Sequence, residues 1–269
     1  MTNARTVRST REKAAQLRAE AARREARRRS IWISIAVAVV LVIAVAVTVV
    51  VRQAQHQQAV AGASTPGGVP AHVLPDGGIL GVSGPAPAGK TPVTVTMWED
   101  FQCPACRAFE TGNHAQLEAW ARQGIVRLVY QPVAFLDRAS TTNYSTRALI
   151  AAGAVENVRP SAFQAFHDLL YTHQPDEGSV GLTDAQLVDL AAQAGAPRDA
   201  VAKALSTQQY KGWTVKRTET FSAEYSSTPT VLVNGKVVTA GDPTYVISPS
   251  GLKSIVASAA AAQGLPAPK

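Results

Sequence analysis

Apolar residues follow two different patterns along this chain. Residues 31–51 are apolar at every position except Ser34 and Thr48, and they carry no charge. A helix of this length, at about 1.5 Å per residue, spans about 30 Å of hydrocarbon. After residue 92, short β-branched runs alternate with segments of helical periodicity. The two patterns predict one transmembrane helix followed by a globular α/β domain.

The charges beside residues 31–51 predict how that helix is oriented. Residues 1–30 carry ten Arg or Lys and three Glu, which accounts for the whole net charge of +7. By the positive-inside rule, residues 1–30 form a basic cytoplasmic tail and the domain lies outside the cytoplasm. A cleaved signal peptide is the alternative, because residues 59–63 contain small-residue cleavage patterns. The apolar run exceeds the usual signal-peptide core of about 7–15 residues, which favours an uncleaved, single-pass anchor in the cell membrane.

The composition changes again after the apolar run. Residues 52–92 contain six Pro and eight Gly, which predicts a tether of mixed flexibility, with a short edge strand at residues 79–82. Beyond residue 30 the chain has 16 basic and 16 acidic residues. This balance argues against a nucleic-acid partner for the folded part.

The sequence predicts that the domain at residues 93–265 consists of alternating strands and helices. A strand at 93–98 leads to a helix that starts at Pro104 with Cys103 as its N-cap; it is expected to break near Gly112 and to resume until Gly124. The remaining predicted elements are a strand at 125–135, helices at 144–155, 161–171, 184–193, 198–205 and 210–225, a hairpin at 228–241 turning at Asn234-Gly235, and a helix at 252–262. This order predicts a central sheet with helices on its faces and a helical insertion at about residues 140–225.

The only two cysteines form the sequence Cys103-Pro104-Ala105-Cys106. A structural disulfide here restrains the unfolded chain little, because the stabilisation grows with loop length. A zinc site lacks ligands: of the five His, only His167 and His173 are near each other, and their spacing places them on different helix faces. The third interpretation, a redox dithiol that needs no metal or other cofactor, is favoured by its position between a strand and a helix.

The position of the two thiols predicts different roles. At the N-cap, Cys103 faces the unpaired N–H groups and the positive end of the helix, which stabilise a thiolate. Only the thiolate attacks a disulfide, so Cys103 is the expected nucleophile. Cys106 lies one turn further in and is expected to be the resolving thiol. Pro104 keeps the turn rigid, and Ala105 adds no charge.

Three features of the chain carry a resemblance to a known family: the strand leading into EDFQCPAC, the helical insertion and the late TPTVLVNG segment. Together they resemble the DsbA-like branch of the thioredoxin superfamily, in its membrane-anchored bacterial form. The resemblance covers residue 93 to the C-terminus. It implies a thioredoxin fold with an inserted helical domain and thiol–disulfide exchange outside the cytoplasm. It also implies that Cys103 is the nucleophile, that Cys106 resolves, and that Pro229 is a cis-proline whose neighbour Thr228 pairs with an extended substrate.

The same resemblance implies partners. These are cysteine-containing exported proteins and a membrane partner of the DsbB or vitamin K epoxide reductase-like kind that reoxidises the dithiol. One departure matters: strongly oxidising members have His where this chain has Ala105. A reductase or isomerase role, for example in cytochrome c maturation, therefore stays open, as does a non-catalytic envelope binding module.

Dithiol exchange needs a base near the resolving cysteine. Glu99 and Asp100 are candidate proton acceptors, and the alternative is a solvated acidic pair at a strand end. Trp98, Phe101 and Phe109 are expected to serve in packing rather than in substrate recognition.

Overall fold

A five-stranded mixed sheet forms the centre of the molecule. The computed structural model describes residues 68–238 and 248–268. The predicted cytoplasmic tail and transmembrane helix, residues 1–30 and 31–51, lie outside them. In the described part, no helix is long and apolar enough to cross a membrane.

The described residues contain strands and helices in the predicted order. The strands are β1 (Ile79–Leu80), β2 (Val93–Glu99), β3 (Val126–Pro132), β4 (Thr230–Val233) and β5 (Lys236–Val237). The helices are α1 (Pro104–Arg122), α2 (Tyr144–Val158), α3 (Phe163–Thr172), α4 (Asp184–Gln193), α5 (Arg198–Ser206), α6 (Lys211–Glu224) and α7 (Pro249–Ala262).

The sheet order is β1-β3-β2-β4-β5. Strands β2 and β3 are parallel, and α1 connects them, while β1, β4 and β5 each pair antiparallel with a neighbour. Central strand β2 is buried at Val93, Val95 and Met97, which alternate along one face. Because β2 lies in the middle of the sheet, the residues that follow its C-terminal end, including Cys103 and Cys106, lie at one edge of the core.

Helix α1 is continuous, so the predicted break near Gly112 is wrong. A glycine within a helix costs only about 1 kcal/mol relative to alanine. Phe109, Leu117 and Trp120, which lie on both sides of Gly112, are all buried in the core. Burial of three large side chains on one helix face outweighs that local cost.

Helices α2 to α6 form the insertion between β3 and β4 and confirm the predicted helical block. Helix α2 is buried around most of its circumference, which explains its run of alanines. Thr183 is the N-cap of helix α4, and Thr183 and Gln186 form a capping box there.

Strand β3 ends earlier than predicted, and residues Phe135–Ala139 form a 3-10 turn. The last hydrogen bond from this strand to β2 runs from the Val133 N–H to the Glu99 carbonyl, at 2.8 Å. Beyond it, the N–H of Leu136 donates to the Asp100 carboxylate at 2.8 Å. That buried acceptor draws the backbone away from the sheet.

Part of the segment predicted as a tether belongs to the domain. Ile79 and Leu80 pair with β3, which confirms the short edge strand. Nearby, the Asp76 carboxylate accepts a 2.8 Å hydrogen bond from Gln131, and its carbonyl accepts one from Arg217. The domain therefore begins before the predicted boundary at Val93.

Candidate redox site

Cys103 is the N-cap of α1, as predicted. Its side chain is only 6% exposed, and its pKa is lowered to about 6. The leading cause is a hydrogen bond from the Cys106 thiol; the Thr228 side chain and the backbone N–H groups of Cys106 and Ala105 add to it, against the effect of burial. A pKa of about 6 leaves Cys103 mostly ionised at neutral pH.

Cys106 is more deeply buried than Cys103, and its pKa is shifted in the opposite direction. It is fully buried, and burial, followed by the neighbouring Cys103, raises its pKa well above the ordinary value. Both thiols are free in this structure. The pair therefore combines an ionised outer thiol with a protonated inner one.

The loop before β4 completes the surroundings of Cys103. The Thr228–Pro229 peptide bond is cis, as the resemblance implies. Cys103 Sγ lies 3.4 Å from the Thr228 carbonyl oxygen. The antiparallel pairing of Trp98 with Thr230 explains this contact, because residues after β2 then run beside residues before β4.

Asp100 accepts three hydrogen bonds. Its carboxylate accepts from the N–H of Gln102 and of Leu136 and from the Ser145 hydroxyl, at 2.7–2.8 Å. Burial nevertheless raises its pKa to about 7. These bonds connect residues 100–103, here called the cysteine loop, to the 3-10 turn and to α2. This favours a structural role for Asp100.

The segment just after α3 also holds the loop that precedes α1. Gln174 Nε2 donates to the carbonyl oxygens of Phe101 and Cys103, at 3.2 and 3.0 Å. Phe101 is buried against Tyr171, with ring centroids 5.6 Å apart. The helical insertion therefore supports the site directly. Trp98 and Phe109 are buried as well, so all three aromatic residues pack as predicted.

Glu99 points to a different environment from that of Asp100. Its carboxylate lies 3.0 Å from His167 Nε2 and accepts a longer 3.4 Å bond from the Tyr171 hydroxyl. Burial raises the pKa of Glu99 to about 7, and the negative charge of Glu99 in turn raises the pKa of Cys106. Of the two predicted proton acceptors, Glu99 is the one whose charge raises the pKa of Cys106, and its role as proton acceptor stays a prediction.

A second buried carboxyl group, Glu110, was not predicted. Burial and the charge of Glu99 raise its pKa to about 8. Glu110 follows Cys106 by four residues in α1, so both lie on the same helix face. That i, i+4 spacing is the sequence signal that identifies it. His167 carried no such signal, since only the packing of α3 on the sheet brings it to Glu99.

Glu99, Glu110 and His167 form one buried cluster, with a ligand-type atom of each within 4.8 Å of the others. Such atoms can in principle coordinate a cation, but ligands must be deprotonated. The raised pKa values of both carboxyl groups favour protonation instead. Two facing carboxyl groups hydrogen-bond only when one carries a proton, so the cluster is suited to holding a shared proton.

His114 closes the cluster toward the surface. Its ring nitrogens lie 3.3 Å from Glu110 and 3.3 Å from Asp168. Hydrogen bonds to Asp168 and Glu110 raise the pKa of His114 to about 10, and the two histidines His114 and His167 lower the pKa of Asp168. Tyr130, on the other side, is buried and its hydroxyl accepts from Gln164 at 3.0 Å.

The fold and these side chains define a class of protein: a thioredoxin-like domain with a helical insertion and a dithiol beside a cis-proline. Comparisons with known proteins agree. The model of the family described as thioredoxin matches residues 88–252. Disulfide bond formation protein D of Bacillus subtilis (strain 168) is 28% identical over 163 residues, which cover 55% of this chain and 65% of that relative's length.

Two solved structures share the fold. Oxidized DsbA from Mycobacterium tuberculosis is 30% identical, with a TM-score of 0.55 over 69% of this chain and 99% of that one. MdbA, a thiol-disulfide oxidoreductase from Actinomyces oris, is 23% identical, with a TM-score of 0.59 over 73% of this chain and 94% of that one. The chain belongs to the thioredoxin family and has its DsbA-like form.

Proposed function

We propose that this protein is a membrane-tethered thiol:disulfide oxidoreductase that oxidises cysteines of exported proteins. One observation carries the proposal: an ionised N-cap thiol, Cys103, lies against the cis-proline loop and above a buried, protonated Cys106. A buried structural pair needs no such difference in pKa. The similarity to a disulfide bond formation protein and to DsbA supports the same activity.

The reaction follows from the order of the two thiols. In the oxidised form, a substrate thiolate attacks Cys103 Sγ, the Cys103–Cys106 bond breaks, and Cys106 takes a proton. A second substrate thiolate then attacks the substrate sulfur of the mixed disulfide and releases Cys103 as a thiolate. The substrate loses two electrons, and the dithiol passes them to a membrane partner that holds a disulfide.

The cis-proline loop positions the substrate in this scheme. A Cys103 thiol donates to the Thr228 carbonyl, whereas a thiolate accepts instead from Cys106 and the helix N–H groups. Once Cys103 is ionised or bonded to another sulfur, the Thr228 backbone is available to an extended peptide.

The test uses full-length protein. Cys103→Ala is expected to abolish disulfide formation in a reduced, unfolded substrate, and Cys106→Ala is expected to accumulate mixed disulfides through Cys103. Full activity of Cys103→Ala would refute the proposed nucleophile. Fractionation of cells that make the full-length and the anchor-deleted protein tests the membrane tether, since only the full-length form is expected in the membrane fraction.

A second enzymatic role, as a reductase or isomerase, is favoured by one observation: Ala105 supplies no positive charge beside Cys103. The redox potential separates the two roles. A value near about −120 mV indicates an oxidant, and a value near about −270 mV indicates a reductant. The non-catalytic alternative predicts that Cys103 alkylates with the pH dependence of an ordinary free thiol.

A further inference from the structure

A line of hydrogen-bonding side chains runs from Glu99 to the surface through α3. His167 Nε2 lies 3.0 Å from Glu99 Oε2, and His167 Nδ1 lies 3.4 Å from Asp168 Oδ1. Glu99 and His167 are buried, whereas the Asp168 side chain is 39% exposed. Two contacts therefore connect a buried carboxyl group to solvent.

A second branch reaches the same exposed group. Glu110 lies in the buried cluster with Glu99, its carboxylate is 3.3 Å from His114 Nδ1, and His114 Nε2 is 3.3 Å from Asp168 Oδ2. The two oxygens of Asp168 thus face two different histidines. The His114 side chain is itself 25% exposed, so this second branch reaches water at His114 as well as at Asp168, whereas the His167 branch reaches it at Asp168.

The chemistry of the site requires such a connection. Cys106 is fully buried, yet it must gain a proton when the disulfide opens and lose one when the disulfide re-forms. Neither proton can pass directly between water and a sulfur that has no exposed surface. Glu99, which is coupled electrostatically to Cys106, is itself 2% exposed and has the same difficulty.

We infer that His167 and Asp168 form a proton relay between solvent and Glu99, and that Glu99 exchanges the proton with Cys106. This inference rests on the proposed function. The two residues touch no reacting sulfur; they act through Glu99.

The outward transfer accompanies closure of the disulfide. Glu99 takes the Cys106 proton, and the Cys106 thiolate attacks Cys103 Sγ and expels the partner thiolate. Protonated Glu99 then donates to His167 Nε2 while His167 Nδ1–H donates to Asp168, which releases the proton to water. The ring ends as the other neutral tautomer, so no charge is left in the buried site.

The inward transfer accompanies opening of the disulfide and restores the ring. A proton from water enters at Asp168, passes to His167 Nδ1, and the Nε2–H proton moves to Glu99. Glu99 then protonates the Cys106 thiolate that has just left Cys103. Because substrate oxidation and reoxidation alternate, each half of the cycle returns His167 to the tautomer that the other half needs.

The groups that surround His167 leave this route open. The rings of Tyr130 and Tyr171 lie 4.5 and 5.0 Å from the His167 ring, on β3 and α3. Burial raises the pKa of both tyrosines well above the ordinary value, so they remain neutral and do not compete for the proton. From α1, Glu110 and His114 face the cluster and provide the second branch.

The experiment follows resolution by Cys106 in single turnovers of reduced, full-length protein with glutathione disulfide. Rapid acid quenching and mass spectrometry separate the reduced protein, the Cys103–glutathione mixed disulfide and the internal disulfide. The variants are His167→Gln and Asp168→Asn, and His173→Gln is the matched control, since exposed His173 lies just beyond α3 and away from the cluster.

The expected result depends on pH. At pH 6, Glu99 begins protonated, so both variants should resolve the mixed disulfide about tenfold more slowly than wild type or His173→Gln, within the range for positioned acid–base groups. At pH 9, Glu99 begins ionised, and the rates should agree within about twofold. A purely structural defect instead lowers the rate by the same factor at every pH.

The side chain changed in Asp168→Asn is partly exposed, so this variant leaves the core intact. The relay is wrong if Asp168→Asn resolves the mixed disulfide at the wild-type rate at pH 6. It is also wrong if the variants are slower by an equal factor at pH 6 and pH 9. If wild type itself forms no mixed disulfide at Cys103, the proposed function fails instead. The two failures are therefore distinguishable in one data set.

Discussion

Cys106 is the largest contributor to the lowered pKa of Cys103, through the hydrogen bond between the two thiols. The same proximity acts in the opposite sense on Cys106, whose pKa is raised by burial and by Cys103. The opposite shifts support the proposed roles of Cys103 as nucleophile and Cys106 as resolving thiol. This relationship leads to the first prediction.

Cys106→Ala should raise the pKa of Cys103 above about 6, because the variant removes the thiol that donates to the Cys103 sulfur. Cys106→Ser keeps a donor at the same position and should leave the pKa closer to about 6. The pH dependence of alkylation by iodoacetamide measures both values. Equal pKa values in the two variants would show that the helix N-terminus alone stabilises the thiolate.

Ala105→His should make the dithiol more oxidising. A protonated imidazole beside Cys103 stabilises the thiolate and therefore the reduced form. A decrease of one pKa unit corresponds to about 1.4 kcal/mol, or about 30 mV for this two-electron couple. Equilibration with glutathione buffers measures the shift. Ala108→His, on the exposed face of the same helix, is the control and should leave the potential unchanged.

Glu110→Gln should flatten the dependence of stability on pH. The folded-state pKa of Glu110 is raised from 4.5 to about 8, so the unfolded chain loses its proton first as pH rises. Wild-type stability therefore falls between about pH 4.5 and 8, and the variant removes that loss, on the order of 4 kcal/mol at pH 8. Urea unfolding at pH 5 and pH 8 measures the difference.

Glu118→Gln is the matched control for Glu110→Gln. Glu118 lies two turns further along α1 and is partly exposed, where it pairs with Arg122 at 3.3 Å. The stability of Glu118→Gln should depend on pH as that of the wild type does. An equal effect of both substitutions would mean that net charge, rather than the buried position of Glu110, controls the slope.

Thr183→Ala should reduce the free energy of unfolding by about 1 kcal/mol, because it removes the capping box at the start of α4. Thr183→Ser keeps the hydroxyl that accepts from Gln186 N–H and should cost little. Thermal unfolding of both variants measures the loss. Redox activity should be unchanged, since this cap lies in the insertion and has no contact with either cysteine.

Local patterns predicted most elements correctly. The apolar run after Pro92 became β2, Pro104 opens α1, and Asn234-Gly235 turns the final hairpin. Gly112 misled the prediction because its local cost is small beside the burial of Phe109 and Trp120 on the same helix. Long-range burial of this kind is not visible in a local window of sequence.

The redox pair could be identified from sequence because its chemistry depends on neighbours in the chain: a strand, an N-cap and one helical turn. Glu110 was also accessible in principle, through its i, i+4 spacing from Cys106. His167 and Asp168 could not be identified in this way, because they lie 64 and 65 residues after Cys103. Their place beside Glu99 depends on how the insertion packs on the sheet.

The sequence by itself determined the dithiol, the order of strands and helices, and the cap that activates Cys103, because each depends on residues within a few positions of one another. Only the tertiary structure distinguished the surroundings of Glu99 from those of Asp100. Asp100 accepts from Gln102 in its own loop and from Leu136 and Ser145 in distant elements, whereas Glu99 joins a buried cluster with Glu110 and His167. Side-chain protonation is set by burial and by neighbours across the fold, and both exist only after the chain has packed.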